Sequence, residues 1–375
     1  MSNSSRVVCV VSLLSTLLFL VDEPIYAQQS DRPRSPLTIN TDLVVTWAQV
    51  TNRNDGTAVK GLGINDFLLR EEGKPQQISL VKEGQPLSVV ILVDGMACIW
   101  PPENEFRRSC EALRQLGNDA EIALMAWDSD IVLVQPITRD QDVIADRLKD
   151  RVSFFHALNG PRKAPRPERD LYRPGEAIYQ AVRYLEKNAS AGRRKVIIMI
   201  TQSWLGMART HPRAAAKVEE LLKETGTTIY ALLANNGIRS GYGSDEFNPV
   251  TWLRVRKDKQ RRSSGGRLEE FVDLTGGSAL VSKNTAWLNL GALTPNKEFG
   301  KEFDELFVKL TGLIGSSYTI GYYPENADFD GRFRRISLEL SGRGKAKAGK
   351  VNIKTRNGYR ALRPLLPDAA DRDRH

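Results

Sequence analysis

Apolar runs alternate with amphipathic helical segments through the middle of the chain. Residues 87–93, 195–200 and 228–233 are almost continuously hydrophobic, which is typical of parallel strands that are covered on both faces. Between the first two of these runs, residues 176–188 repeat apolar side chains at helical spacing. This alternation of strands and helices predicts an α/β fold with a doubly wound, mostly parallel sheet of Rossmann-like topology.

Short segments with β character flank this region on both sides. Asn, Asp and Gly form a strong turn signal at residues 52–56, and further turns are predicted at residues 330–331 and 342–349. Whether the two flanking segments share one β layer is left open. The expected parts are a signal peptide (1–27), a linker (28–36), a small β domain (37–84), the α/β domain (86–290), a helix with a C-terminal β segment (291–363) and a disordered tail (364–375).

The N-terminus has the pattern of a secretory signal peptide. Arg6 precedes an apolar run at residues 7–21, and Ala27 offers a small residue for cleavage. A retained membrane anchor is the alternative, but the run has roughly 15 residues where a span needs about 20. The mature chain has no second run of that kind. We therefore expect a secreted or periplasmic protein without a transmembrane span.

Charge and cysteine content narrow the choice of partners. The chain has 54 Lys and Arg against 45 Asp and Glu, a formal net charge of +9. Outside the cytoplasm this excess favours an acidic protein or an anionic envelope component over nucleic acid, although general solubility explains it equally well. Cys98 and Cys110 remain after removal of the signal peptide, and an oxidising compartment would let them form a disulfide. The alternative is a pair of reduced, buried thiols.

Several motifs in a fixed order are more specific than any one of them. They are Val59-Lys60-Gly61-Leu62, Glu71-Glu72-Gly73-Lys74-Pro75-Gln76, Tyr318-Thr319-Ile320-Gly321-Tyr322-Tyr323-Pro324, Gly331-Arg332-Phe333-Arg334-Arg335-Ile336 and Arg356-Asn357-Gly358-Tyr359. Together with an apolar strand that ends in Asp94, they resemble the exported von Willebrand factor type A-related proteins that are abundant in acidobacteria. The resemblance covers nearly all of the mature chain and implies a von Willebrand factor A-like α/β domain.

The resemblance also implies a metal site that has degenerated. In the family fold, a divalent cation is bound at the carboxyl ends of the central strands by an Asp-x-Ser-x-Ser loop, a Thr and a second Asp. Here Asp94 is kept, whereas Met96 and Cys98 occupy the two serine positions. Glu176 falls at or near the Thr position, and Gln202 falls at the second Asp. We therefore expect neither a bound metal nor another cofactor.

Enzymatic chemistry has little support in the sequence. The mature chain contains only His156, His211 and the terminal His375, and it lacks a nucleophile elbow, a zinc-binding His motif and a phosphate-binding loop. Asp94 and Glu176 could be imagined as an acid and base pair. The simpler interpretation is that Asp94 orients its own loop, and we expect no enzyme activity.

These observations favour a non-enzymatic protein-interaction module. A structural scaffold associated with the envelope remains an alternative, as does a domain that keeps weak adhesion dependent on a divalent cation. The candidate partner surface is the loop before the helix at residues 176–188, because long loops inside a domain are often functional. Its basic residues are Arg162, Lys163, Arg166, Arg169 and Arg173. A solvated loop without a partner is the competing interpretation.

Overall fold

The structure is a computed structural model that describes nine ranges of the chain. They are residues 43–94, 108–127, 131–149, 174–202, 212–235, 268–285, 287–289, 294–295 and 297–362. The predicted signal peptide, the linker and the polar tail after residue 363 lie outside these ranges. None of the helices in the described ranges is both long and apolar enough to cross a membrane.

Seven α-helices and sixteen strands lie within the described ranges. The helices are α1 (Ser109–Arg114), α2 (Gln141–Lys149), α3 (Pro174–Asn188), α4 (Pro212–Thr225), α5 (Leu268–Leu274), α6 (Lys297–Gly315) and α7 (Gly342–Ala348), and a 3-10 turn covers Ile64–Asp66. The strands are β1 (Val44–Asn52), β2 (Phe67–Glu71), β3 (Lys74–Gln76), β4 (Ile78–Glu83), β5 (Leu87–Asp94), β6 (Glu121–Trp127), β7 (Ile131–Thr138), β8 (Arg194–Gln202), β9 (Thr228–Asn235), β10 (Ala279–Thr285), β11 (Trp287–Asn289), β12 (Thr294–Pro295), β13 (Tyr318–Tyr322), β14 (Phe333–Leu340), β15 (Val351–Thr355) and β16 (Gly358–Arg360).

A six-stranded sheet forms the centre of the α/β region, in the order β10-β9-β8-β5-β6-β7. Neighbouring strands run parallel except for β6 and β7, which are antiparallel. The chain builds β5, β6 and β7 outward on one side and then continues with β8, β9 and β10 on the other side of β5. The predicted class, α/β with a mostly parallel sheet, is confirmed.

Strand β5 is buried along its whole length because both of its faces are covered. Val89, Ile91 and Val93 pack with helices α1, α2 and α6 on one face. Val90 and Leu92 pack with α3, α4 and α5 on the other. Successive residues of a strand point to opposite faces, so one continuous apolar run supplies two cores.

Helix α6 belongs to this central core, although it was expected to form one part with the C-terminal β segment at residues 291–363. Its residues Phe299, Phe303 and Phe307 are four positions apart and therefore lie on one face of the helix. All three are buried in the same cluster as β5 and β9. The α/β domain, which was expected to end at residue 290, therefore includes a helix that begins after that residue.

Two four-stranded antiparallel sheets form a β-sandwich from the flanking segments. Their orders are β15-β1-β13-β4 and β16-β14-β2-β3. Strands from the two ends of the chain lie side by side, since β1 pairs with β13 and β15, and β2 pairs with β14. Phe67, Tyr318 and Leu338 pack in one buried cluster between the sheets. The two flanking segments therefore form one β unit.

A buried carboxylate in the sandwich brings together motifs from both ends of the sequence. Oε2 of Glu71 accepts hydrogen bonds from the hydroxyl of Tyr322 at 2.7 Å and from that of Tyr359 at 2.9 Å. Arg334 Nη1 lies 3.6 Å from Oε1 of the same carboxylate. Burial and the bond to Glu71 raise the pKa of Tyr359 to about 12, so this phenol keeps its proton for donation. One polar group thus joins β2, β13, β14 and β16.

The segment between β14 and β15 is the helix α7, and the prediction of a turn at residues 342–349 is wrong. Ser341 Oγ caps the helix by accepting a hydrogen bond from the Gly344 backbone N–H at 3.1 Å. Alternating Lys and Ala residues then favour helix, and Gly349 ends it with a φ of 70°. Three glycines in a short polar stretch hid this signal because glycine is also the commonest turn residue.

A buried arginine joins the sandwich to the amino-terminal edge of the central sheet. The Arg194 guanidinium, at the start of β8, lies 4.1 Å from the ring centre of Trp47 in β1 and 5.8 Å from that of Tyr230 in β9. Its Nη2 donates a hydrogen bond to the Tyr230 hydroxyl at 2.9 Å. A planar cation suits the faces of aromatic rings, so this stack connects one sandwich strand with two central strands.

Two consecutive glycines permit close backbone approaches beside this stack, Gly276 to the sandwich and Gly277 to the central sheet. A Cβ atom at Gly276 would lie 2.2 Å from the carbonyl oxygen of Thr355 in β15, and one at Gly277 would lie 1.7 Å from that of Ile229 in β9. Gly276 also has a φ of +72°, which other residues rarely adopt. Gly276 and Gly277 follow α5 directly after Thr275, so the chain passes closely between β15 and β9 at this point.

The same edge contains a carboxylate enclosed by hydrogen-bond donors. Glu121 begins β6, and its oxygens accept from Ser88 Oγ at 2.8 Å, from the Ser190 backbone N–H at 3.1 Å and from Arg139 Nη2 at 3.0 Å. The Ser190 hydroxyl donates to it as well. Burial raises the pKa of Glu121, but these hydrogen bonds outweigh that effect and lower the pKa to about 2. The carboxylate ties the segment after α3 to the starts of β5 and β6.

Replacing Glu121 with Gln is expected to lower the free energy of unfolding by about 2 kcal/mol at neutral pH, because the amide loses the charge and one acceptor. The folded pKa, about 2, lies below the ordinary value of 4.5, so this contribution is complete above pH 4.5 and is lost as the pH falls toward 2. Urea unfolding at several pH values measures it. Glu339→Gln, at an exposed position, is the control. A difference between parent and Glu121→Gln that stays constant down to about pH 3 would contradict the assignment.

Candidate functional site

The carboxyl-terminal ends of β5 and β8 mark the point where the sheet changes its direction of growth. The chain leaves β5 toward α1, which packs on one face of the sheet. It leaves β8 toward α4, which packs on the opposite face. Connections that diverge from neighbouring parallel strands open a crevice between the strand ends, where open α/β sheets bind their ligands. The candidate site therefore lies at this divergence.

Asp94 is the last residue of β5 and occupies this position. Its side chain is fully buried. Its Oδ2 accepts a hydrogen bond at 2.8 Å from the hydroxyl of Thr201, a fully buried residue of β8. The bond joins the ends of the two strands from which the connections diverge, and it fixes the orientation of the carboxylate.

Helix α3 covers the face of the sheet to which Asp94 belongs. Ile178 of this helix packs in the same cluster as Leu92, and Asp94, two positions later in β5, points to the same side. Glu176 lies in the first turn of α3, but it is exposed, and its Oε1 accepts a hydrogen bond from Gln180 Nε2 at 2.9 Å. The two candidate carboxylates therefore have unlike surroundings, one fully buried and the other at the helix surface.

The remaining predicted site residues are described only in part. Gln202 is the last residue of β8, where its Cα pairs with that of Ala234 in β9. Met96 and Cys98 lie outside the described ranges. So do the basic residues of the candidate partner loop, Arg162, Lys163, Arg166, Arg169 and Arg173. The roles proposed for these residues stay predictions.

Cys110 lies in helix α1. Its side chain is half-buried against the core on the α1 side of the sheet. Since Cys98 is outside the described ranges, the disulfide between the two residues also stays a prediction.

Two residues of this edge were not singled out from the sequence. Thr201 had a local signal, a hydroxyl near the end of an apolar strand. Trp127 had no local signal in the sequence. It is the partner of Asp94 in the register of β5 with β6, and its ring is buried on the α3 side of the sheet. Register depends on the whole sheet, so no local pattern predicts such a neighbour.

Within the described ranges, no group of three or more His, Cys, Asp or Glu residues is placed to hold a metal ion.

Thr201→Val is expected to lower the free energy of unfolding by about 1–3 kcal/mol, because Val keeps the shape of the side chain but offers no donor to the buried Asp94 oxygen. Thr201→Ser keeps the hydroxyl and should cost about 1 kcal/mol or less, for the lost methyl group. Urea unfolding at neutral pH compares the three proteins. Equal losses in the Val and Ser variants would show that the hydroxyl does not support the carboxylate.

Comparisons with known proteins concern the fold only. No family model matches the sequence, and neither does any curated protein. Among solved structures, the chain is similar to the BatB protein of Bacteroides thetaiotaomicron, with 17% identity over 59% of this chain and 98% of that one and a TM-score of 0.33. A von Willebrand factor type A protein from Catenulispora acidiphila gives 13% identity, 84% and 76% coverage and a TM-score of 0.35. The Rpn10 von Willebrand factor A domain is 9% identical over 58% of this chain and 94% of that one, with a TM-score of 0.32. At these identities and TM-scores, no ligand, partner or activity carries over to this chain.

Proposed function

We propose that this chain is an exported, non-enzymatic protein-interaction module with a von Willebrand factor A-like domain that has lost most of its metal ligands. Its partner surface is the carboxyl-terminal edge of the central sheet. The observation that carries the proposal is the buried hydrogen bond between Asp94 and Thr201, at the divergence of β5 and β8.

This bond commits the carboxylate to the fold. A general acid or base must reach a proton of its substrate. Asp94 is fully buried and already accepts a hydrogen bond. Its contribution is to hold the ends of β5 and β8 together. Loops on a rigid scaffold are the usual carriers of binding residues, and such an arrangement supports recognition rather than chemistry.

The donors at this edge do not fit a tightly bound divalent cation. Magnesium and calcium need several oxygen ligands, with carboxylates supplying most of the charge. Asp94 is one buried carboxylate, whereas Glu176 is exposed and engaged along its own helix. An amide, Gln202, stands where the resemblance implies a second carboxylate, and the side chains of Met96 and Cys98 offer no hard oxygen. Binding at this surface is therefore proposed to be independent of cations.

The proposed location is secreted or periplasmic, with cleavage of the signal peptide after Ala27. The proposed partner is an acidic protein or an anionic envelope component, in keeping with the net charge of +9. The loop between Arg162 and Arg173 is the proposed point of contact. It directly precedes α3 in the sequence, and α3 covers the face of the sheet to which Asp94 points.

Capture from an envelope extract tests this function. The full chain, immobilised, is expected to retain the same discrete acidic proteins with and without EDTA. The triple variant Arg162→Glu, Lys163→Glu and Arg166→Glu should lose them, because charge reversal opposes an anionic partner. The matched control reverses three exposed basic residues on α3 and α4, namely Arg183, Lys187 and Lys217.

Two results would overturn the proposal. Retention that requires calcium, magnesium or manganese and is lost in Asp94→Ala would show that a working cation site remains. Equal retention by the loop variant and the control variant, with the protein sedimenting with peptidoglycan, would favour the structural scaffold instead.

A further inference from the structure

Basic residues are concentrated around one end of the β-sandwich. From Leu340 to Pro367 the sequence contains eight Lys or Arg residues and no Asp or Glu. Three of the eight are used inside the fold, where Lys354, Arg356 and Arg360 donate hydrogen bonds to backbone carbonyls. Four others lie on or directly after helix α7: Arg343, Lys345, Lys347 and Lys350. These four side chains are exposed.

Helix α7 is fastened to the 3-10 turn at Ile64–Asp66. A Cβ atom at Gly344 would lie 2.2 Å from the Asp66 carbonyl oxygen, so glycine permits the contact. Ser341 Oγ donates a hydrogen bond to the carbonyl oxygen of Asn65 at 2.7 Å. Lys347 Nζ donates to the carbonyl oxygen of Gly61, the residue after the exposed Lys60. The helix and the turn therefore present one continuous surface.

The positive charge of this surface is compensated only in part. The buried carboxylate of Asp66 has Arg343 Nε 3.3 Å from Oδ1 and Lys347 Nζ 3.5 Å from Oδ2, so one anion serves two cations. The Arg343 side chain is still 72% exposed. Glu83 adds a second carboxylate nearby, and it accepts a hydrogen bond from the backbone N–H of Gly61. Lys345 and Lys350 extend the charge beyond both carboxylates.

An exposed apolar side chain accompanies these cations. Ile64, in the turn against which α7 packs, is 38% exposed. Ile64, Lys60, Arg343, Lys345, Lys347 and Lys350 together are called the α7 surface. An apolar residue amid lysines and arginines is the composition of proteins that rest on anionic membranes, where the cations attract lipid headgroups and the apolar group enters the interface.

We propose that the α7 surface binds the face of an anionic lipid bilayer. None of its six residues is aromatic, which speaks against a single-stranded nucleic acid, since bases bind by stacking on aromatic rings. A duplex or another soluble polyanion would use the cations and leave Ile64 without a role. The proposal is independent of the proposed function, because this surface belongs to the sandwich and not to the carboxyl-terminal edge of the central sheet.

Vesicle co-sedimentation of the full chain tests the proposal. Binding to phosphatidylglycerol vesicles should exceed binding to phosphatidylcholine vesicles and should weaken as salt rises. An apolar N-terminal segment would bind both kinds of vesicle alike, so the difference between them reports the basic surface. Lys345→Gln with Lys350→Gln should weaken binding to the anionic vesicles about thirtyfold, since each cation near such a surface contributes about 1 kcal/mol. Ile64→Ser should weaken it about fivefold.

The control variant Lys187→Gln with Lys217→Gln removes the same charge from exposed positions on α3 and α4 and should bind as the parent does. Lys345→Arg with Lys350→Arg should also bind as the parent does. Equal binding to both kinds of vesicle, or equal losses in the α7 and control variants, would overturn the proposal. A combination of two further results would also overturn it. Heparin, a soluble polyanion, would bind less well to the Lys345 and Lys350 variants, and Ile64→Ser would leave vesicle binding unchanged.

Discussion

A buried cation is one of the contacts that connect the two layered units of this chain. A guanidinium that is removed from water needs favourable contacts, and Arg194 finds them at the faces of Trp47 and Tyr230 and at the Tyr230 hydroxyl. Its Nε and Nη1 atoms are buried without a hydrogen-bond partner. Trp47 lies in β1, which pairs with β13 and β15 from the other end of the chain. The stack therefore ties strands from both ends of the chain to the middle of the central sheet. Packing at Gly276 and Gly277 closes the same junction.

The amino-terminal and carboxyl-terminal edges of the central sheet consequently differ in what they contact. At the amino-terminal edge, Arg194 and Glu121 are surrounded by partners from several elements, and the sandwich packs there. At the carboxyl-terminal edge, the bond between Asp94 and Thr201 holds the ends of β5 and β8 where their connections part. The described contacts with the sandwich lie at one edge, and a buried hydrogen bond fixes the strand ends at the other. This division of the sheet suits a module that recognises a partner.

Parts of this arrangement could be predicted from local patterns. The central strands could be predicted in this way, because a strand that is covered on both faces must be apolar throughout, as β5 is. The pairing of β1 with β13 could not, since their residues are far apart in the sequence and antiparallel pairing leaves no local mark of its partner. Helix α7 was mistaken for a turn because its cap, Ser341, lies among glycines that are equally suited to turns. At the site, Asp94 was expected because the resemblance implies a metal-binding Asp at the end of a central strand. Trp127 becomes its neighbour only through the register of the sheet.

The sandwich and the α/β layers are expected to form one cooperative body, with Arg194 at the junction between them. Hydrogen exchange of the full chain, followed by mass spectrometry at increasing urea, tests this most directly. Peptides covering β13 and β5 are expected to lose protection together, with the same opening free energy and the same dependence on urea. Loss of protection in β13 at urea concentrations that leave β5 protected would contradict it, because the sandwich would then open independently of the sheet on which it packs.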